Sequence, residues 1–350
     1  NRWKELKPKL SPSPRSGHCL IYDPTQNATW LFGGYGPKEK ELNDLWKLTG
    51  DQWQLTKVGN PPLARFGAAA AFYPKDGGIY FFGGENKSTG ALSDTWRFDP
   101  QKKRWKQIRT ENSPTARFSG ELIFDESMDA LVLYGGFVKE NAANDAWAFD
   151  GKNWRRLPNG LPEKTVGFAL ARDRETHHTV LFGGFNIKAV SVSSSRSEPV
   201  QKSIGTYEFD GKTWKRIETK HSPTAELSYC LAYDPKNKKV VLFGGYHEAR
   251  GELNETWEYD GKDWALINTP TSPMPRTNAS LFWDPTRKKI LLYGGYNPIE
   301  GSLKDIWEYN GKNWEKLLIP SPYANYTGGT ILVYDSKRAV FVLYGGKDKK

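Results

Sequence analysis

The sequence predicts an all-β fold, a seven-bladed β-propeller of four-stranded blades, and three observations carry that prediction. First, Gly-Gly pairs recur at Gly33-Gly34, Gly83-Gly84, Gly135-Gly136, Gly183-Gly184, Gly244-Gly245, Gly294-Gly295 and Gly345-Gly346, spaced 50, 52, 48, 61, 50 and 51 residues apart. Second, five pairs are followed 11 or 12 residues on by a Trp (Trp46, Trp96, Trp147, Trp257, Trp307), with another 7 or 9 beyond it (Trp53, Trp105, Trp154, Trp264, Trp314). Tyr207 and Trp214 hold these two places in the divergent fourth period. Third, every period breaks into short aromatic and β-branched runs separated by turn residues, without helical periodicity.

The elements follow in order within the first period. SGHCLIY is the first strand, DPTQN a turn, and ATWLFGG a second strand closed by the Gly pair. After a loop, NDLWKL is the third strand, TGD a turn and QWQL the fourth. In ETWEYDGKDW and DIWEYNGKNW a tight Asp-Gly or Asn-Gly turn is expected between the third and fourth strands. A four-stranded sheet has two faces to cover, and seven stacked radially cover each other while leaving only short edges. Residues 1–350 therefore read as one propeller rather than as two or three ordinary domains.

With the Gly pair, the third-strand aromatic and the fourth-strand Trp in place, the chain resembles the kelch-repeat family over nearly its whole length. The phrasing of TSPMPRTNASLFWDPTRKKILLYGGY and LKDIWEYNGKNWEKL is similar to bacterial kelch-like repeats and to the central domain of galactose-oxidase-like proteins. The resemblance implies closure by an N-terminal strand, and Trp3, 30 residues before Gly33, stands at the fourth-strand interval. Only KDKK follows the last Gly pair, so the closing blade is expected to lack its third strand and the chain to be part of a longer protein.

Composition limits the function. Two cysteines, Cys19 and Cys230, make no disulfide framework, and neither they nor the five histidines fall in a metal-binding pattern, so neither metal nor cofactor is expected. No run of 18 apolar residues spans a bilayer, and NRWKELKPKL lacks a signal-peptide core. The net charge of +10 is spread through turns such as DPKNKK and DPTRKK, a dispersed field that argues against specific nucleic-acid recognition. A bacterial extracellular or cell-envelope location is favoured from the cadence of the repeats, with a cytoplasmic one left open.

Function should lie where the repeats differ, on the loops that the resemblance places at one end of the central channel. Leading into the first strands stand Arg15, Arg65, Arg117, Thr165, Glu226, Arg276 and Thr327; directly after the Gly pairs come Tyr35, Glu85, Phe137, Phe185, Tyr246, Tyr296 and Lys347. The ligand-binding candidates are Arg15, Arg65, Arg117, Glu226, Arg276, Tyr35, Phe137, Phe185, Tyr246 and Tyr296, a basic patch ringed by flat apolar groups. The competing reading has the Arg side chains bonding adjacent loops and the aromatics capping blade cores. Asp44, Asp94, Asp145, Glu255 and Asp305 recur too regularly for catalysis and are read as partners of loop N–H groups or a nearby Arg. The 185–205 segment of the long fourth period is either a recognition loop or an inert one. The leading function is a non-enzymatic scaffold binding a protein, peptide or anionic glycan. The alternative is a carbohydrate-active enzyme of isomerase, lyase or hydrolase type built on Glu226 and Arg groups, with no catalytic residue assigned.

Overall fold

The computed structural model describes residues 4, 6–139, 141–158, 160, 165–173, 178–186, 205–210, 213–318 and 326–348. The chain divides into two compact units, Glu5–Leu161 with Thr327–Lys350, and Pro162–Tyr326 with Asn1–Lys4. The first holds three four-stranded antiparallel sheets, here called blades, each with its strands in chain order. Blade one is Cys19–Asp23, Ala28–Tyr35, Glu41–Thr49 and Gln52–Leu55. Blade two is Ala69–Tyr73, Gly78–Phe82, Thr95–Asp99 and Arg104–Ile108. Blade three is Glu121–Asp125, Ala130–Tyr134, Ala146–Phe149 and Trp154–Arg156. A two-stranded hairpin, Tyr326–Asp335 with Val340–Asp348, packs on blade one through Ile331, Val333, Val342 and Tyr344 against Leu20, Leu31, Trp46 and Trp53.

The second unit repeats the plan. Blade four is Thr165–Arg172, Thr179–Asn186, Thr206–Phe209 and Trp214–Ile217. Blade five is Cys230–Asp234, Lys239–Phe243, Thr256–Tyr259 and Trp264–Ile267. Blade six is Ser280–Asp284, Lys289–Tyr293, Ile306–Tyr309 and Trp314–Leu317.

Two features differ from the sequence expectation. Beyond the Gly pair, blades two, three, five and six carry a miniature hairpin: Glu85–Asn86 with Gly90–Ala91, Phe137–Val138 with Asn141–Ala142, Tyr246–His247 with Gly251–Glu252, and Tyr296–Asn297 with Gly301–Ser302. The Asp-Gly segment between third and fourth strands is a four-residue loop rather than a two-residue turn. In blade three Phe149 pairs with Trp154, and Asp150 Oδ1 accepts the amides of Lys152 and Asn153 while Gly151 takes φ +96°.

Trp154, Trp264 and Trp314 on fourth strands fill the gaps between neighbouring blades of one unit, each ring lying against the second strand of the blade before. Trp154 stands 5.2 Å from Phe82, Trp264 5.1 Å from Phe182 and Trp314 5.1 Å from Phe243. Their indole N–H groups donate not to backbone but to threonine hydroxyls that open the third strand of that preceding blade. Trp154 reaches Thr95 at 2.9 Å, Trp264 reaches Thr206 at 2.8 Å and Trp314 reaches Thr256 at 2.8 Å. Leu45 occupies the threonine place in blade one, and the indole nitrogen of Trp105, buried in the same apolar cluster, has no acceptor.

Candidate functional site

In an antiparallel blade whose strands follow chain order, the second-to-third loop and the segment entering the first strand share one end, called here the hairpin end. The four candidate arginines all stand there, and all are buried, none with more than 1% of its surface exposed. Each makes the same latch inside its own blade. Arg65 Nη1 donates to the Gly83 carbonyl at 2.8 Å and to Asp94 Oδ1 at 2.6 Å, Nη2 to Asp94 Oδ2 at 2.8 Å, and Nε to the Leu63 carbonyl at 2.9 Å. Arg15 does so with Gly33 and Asp44, Arg117 with Gly135 and Asp145, and Arg276 with Gly294 and Asp305. Arg15 adds Ser13 Oγ and so commits all five donors.

The expectation that Arg15, Arg65, Arg117 and Arg276 present a basic surface to a ligand therefore gives way to a structural role, for a planar fork held on both carboxylate oxygens and two carbonyls has turned inward. The acid column behaves as read from the sequence. Asp44, Asp94, Asp145 and Asp305 each also accept the indole N–H of the tryptophan two residues on, at 2.6 to 2.7 Å. Burial pushes these carboxyls up, but the guanidinium and indole bonds outweigh it and hold all four below the ordinary aspartate value.

The backbone of the same arginines stitches successive blades. Gly34 N donates to the Arg65 carbonyl at 2.8 Å, Gly84 N to Arg117 at 2.9 Å and Gly245 N to Arg276 at 2.9 Å. This close approach explains the paired glycines: a Cβ on Gly33, at φ +67°, would lie 2.8 Å from the Arg65 carbonyl oxygen. Between blades four and five Gly184 N donates to the Tyr229 hydroxyl at 2.7 Å instead.

Blade five breaks the latch. Glu226 takes the arginine place, half-buried, and its Oε2 accepts the Glu248 amide at 3.0 Å from the hairpin tip. The arginine comes from that tip: Arg250 Nη1 donates to Glu255 Oε1 at 2.9 Å, and Thr224 Oγ1, which also meets Arg250, donates to Glu255 Oε2 at 2.6 Å. Unlike the other four, Arg250 is 46% exposed. Sequence reasoning missed this exchange, although the longer acid at 255 and the lost arginine at 226 both signal it.

The aromatic candidates divide between the units. Tyr35 and Phe137 stand half-buried at the hairpin end of the first, joined by two rings the sequence reading passed over. Tyr35 meets Phe66 at 5.5 Å, Phe66 meets Phe118 at 6.4 Å, and Phe118 stacks on Phe137 at 5.4 Å. Lys87 Nζ lies 4.8 Å over the Tyr35 ring. Phe66 and Phe118 directly follow Arg65 and Arg117, so the buried latches fix the backbone from which these rings project. In the second unit Tyr246 is half-buried and Tyr296 42% exposed, with Ile299 at the tip of the same hairpin 88% exposed. The Phe185 side chain lies outside the described residues, as does most of the 185–205 segment; Phe185 itself pairs with Val166 in blade four.

A cleft of about 680 Å³ lined by Lys75, Asp129, Trp147 and Arg155 opens at the opposite, turn end of the first unit, away from these residues. Among the described residues no three His, Cys, Asp or Glu side chains are grouped to hold a metal ion, and no helix is long and apolar enough to cross a membrane. Cys19 and Cys230 are buried free thiols, both pushed up to about 12 by burial.

Comparison with known proteins places this geometry. The KLHDC2/KLHL20/DRC7 Kelch-repeats domain model matches residues 1–184 and 169–350. Mei4-dependent protein 6 of Schizosaccharomyces pombe is 22% identical over 256 residues, 67% of this chain and 28% of that protein. Kelch domain-containing protein 10 of Xenopus tropicalis is 25% identical over 265 residues, 68% of this chain and 61% of that protein. Adagio-like protein 3 of Oryza sativa subsp. japonica is 32% identical over 177 residues, 46% of this chain and 27% of that protein. The chain thus spans less than two thirds of the length of these relatives, and none of the three is bacterial. The chain belongs to the Kelch-repeat domain family.

Proposed function

We propose that the chain is a seven-bladed kelch propeller acting as a non-enzymatic binding scaffold, and that its ligand is a protein segment held at the hairpin end. Kelch-repeat domains in general act as protein-interaction scaffolds. The observation that carries the reading is the row Tyr35, Phe66, Phe118 and Phe137, half-exposed rings in successive contact with the Lys87 ammonium over one end. Aromatic groups projecting from a backbone latched by buried ion pairs lose little freedom on binding, so contact area there converts to affinity with a small ordering cost. The cation favours a segment that brings a carboxylate or an aromatic edge to the Tyr35 end.

A displayed library of linear peptides selected on the 350-residue chain tests this. Dissociation constants of the enriched peptides are then compared on wild type, Tyr35→Ala, Phe118→Ala, Lys87→Glu and the remote control Leu318→Ala. A buried aromatic anchor is worth about 2 kcal/mol or more, so losses on the order of 30-fold are expected for the two aromatic variants and none for the control. Equal affinity for wild type and both aromatic variants, with their melting temperatures retained, refutes the assignment.

A further inference from the structure

Blade one carries a cross-strand exchange. In blades two, four and five a threonine opens the third strand opposite an isoleucine that ends the fourth: Thr95 with Ile108, Thr206 with Ile217 and Thr256 with Ile267. In blade one the two residue types trade strands. Leu45 holds the threonine place, and Thr56, whose amide donates to the Leu45 carbonyl at 2.7 Å, holds that of the isoleucine. The hydroxyl is thereby moved one strand outward. The indole N–H of Trp105, entering from blade two and buried, faces a leucine and has no acceptor. At the same place, between blades one and two of the first unit, lies a cavity of about 240 Å³ lined by Leu45, Thr56, Lys57, Val58, Pro61 and Trp105.

We propose that this cavity is a binding site for a small monocarboxylate with a short aliphatic body. With the Leu45 side chain swung into the cavity, one carboxylate oxygen takes the place against Trp105 that Thr95 Oγ1 holds against Trp154, and the other accepts from the Thr56 hydroxyl. Three groups select the anion: the indole N–H, the Thr56 hydroxyl and the exposed Lys57 ammonium at the mouth, the last two without a partner among the described residues. Asp44 also lines the cavity, but Arg15 and the Trp46 indole take both of its oxygens, so its charge is already answered. Leu45, Val58 and Pro61 supply an apolar wall for the carbon chain. Volume sets the size. At ~30 Å³ for each water-sized group there is room for about eight non-hydrogen atoms. A ligand so held touches both blades and ties them where the threonine–indole bond of the sister gaps is missing.

The probe is isovalerate, titrated into the full chain labelled with the heavy nitrogen isotope while the indole N–H resonances are followed by NMR. The Trp105 resonance is assigned by its loss in Trp105→Phe. Isovaleramide, the same body without the charge, is the companion probe. A saturable shift confined to the Trp105 indole is expected with isovalerate, at least tenfold weaker affinity with isovaleramide, and equal affinities for the two in Lys57→Gln. Leu45→Thr restores the sister-blade acceptor, so its Trp105 resonance should already be displaced in the free chain and its isovalerate affinity should fall at least tenfold. Should Leu45→Thr fail to fold, the Lys57→Gln comparison decides. The proposal is overturned by no saturable shift at Trp105, by equal shifts at the other indoles, by equal affinity of wild type for the two probes, or by undiminished binding to folded Leu45→Thr.

Discussion

Replacing Thr256 by Val keeps shape and removes one atom's function, the hydroxyl that accepts the Trp314 indole N–H at 2.8 Å. Both residues are buried, Thr256 at 1% and Trp314 at 0% exposure, so no water can take over the bond. Leaving a buried donor unsatisfied costs about 1–3 kcal/mol. The methyl that replaces the hydroxyl returns up to ~0.8 kcal/mol of apolar transfer. The net loss is therefore about 1–2 kcal/mol. For a chain of this length, with roughly 2.1 cal/mol/K per residue of unfolding entropy, the melting temperature should fall by about 1–3 °C. Thr95→Val and Thr206→Val remove the same acceptor from Trp154 and Trp264. Since the three pairs share no partner, their effects should add. Urea titration followed by tryptophan fluorescence reads the losses. Trp105 provides the internal comparison, because its buried nitrogen has no acceptor to lose: Trp105→Phe should cost about 1 kcal/mol less than Trp314→Phe. If Thr256→Val is neutral, or the two Trp→Phe variants cost the same, the indole–hydroxyl bonds contribute nothing and the reasoning fails.

Arg65→Ala strands the Asp94 carboxylate and the Gly83 carbonyl and should destabilise by about 3–5 kcal/mol in the same urea assay; Arg65→Lys should recover less than half, since one ammonium cannot span both carboxylate oxygens and the carbonyl. In blade five, Gly244→Ala sets a Cβ 2.7 Å from the Arg276 carbonyl oxygen at φ +67°, whereas Gly251→Ala at φ +72° meets nothing within 4 Å. Thermal melts should show a loss of ~1 kcal/mol for Gly251→Ala and a clearly larger one for Gly244→Ala. Asp44, Asp94, Asp145 and Asp305 have folded values below the ordinary 3.8. Their contribution is complete above that value and disappears as pH falls through the folded ones, so urea midpoints should drop below pH 4, and less steeply in Asp94→Asn.

The blade plan was legible because it rests on one-dimensional signals. Gly33 and Gly34 must be glycine where the next blade's carbonyl comes close, and Asp44 sits two residues before the indole that it binds, so both leave a fixed spacing in the sequence. The partner of Asp44 did not, since Arg15 lies 29 residues away and only its recurrence with the acid couples them. Arginine is also the residue one expects to find on a recognition surface, and burial is invisible in composition; the latch was thus open to reading as a basic patch. Phe66 and Phe118 were missed because they follow the arginines and precede positive-φ residues, Gly67 at +64° and Ser119 at +54°, in what reads as mere loop. The miniature hairpins have arms of two residues, too short for any alternation to register.

Cys19 lies in the first strand of blade one and Cys230 at the same place in blade five, so each unit holds one buried thiol. Because only the thiolate attacks a disulfide reagent, and burial pushes both groups up to about 12, neither reacts from its closed position at neutral pH. Each labels at the rate at which its own surroundings open. Mass-resolved labelling of Cys19→Ser and Cys230→Ser chains would time the opening of each unit separately, with no probe added to the protein. Matching rates would mean that the two units open with equal ease; a fast thiol and a slow one would identify the unit that opens first.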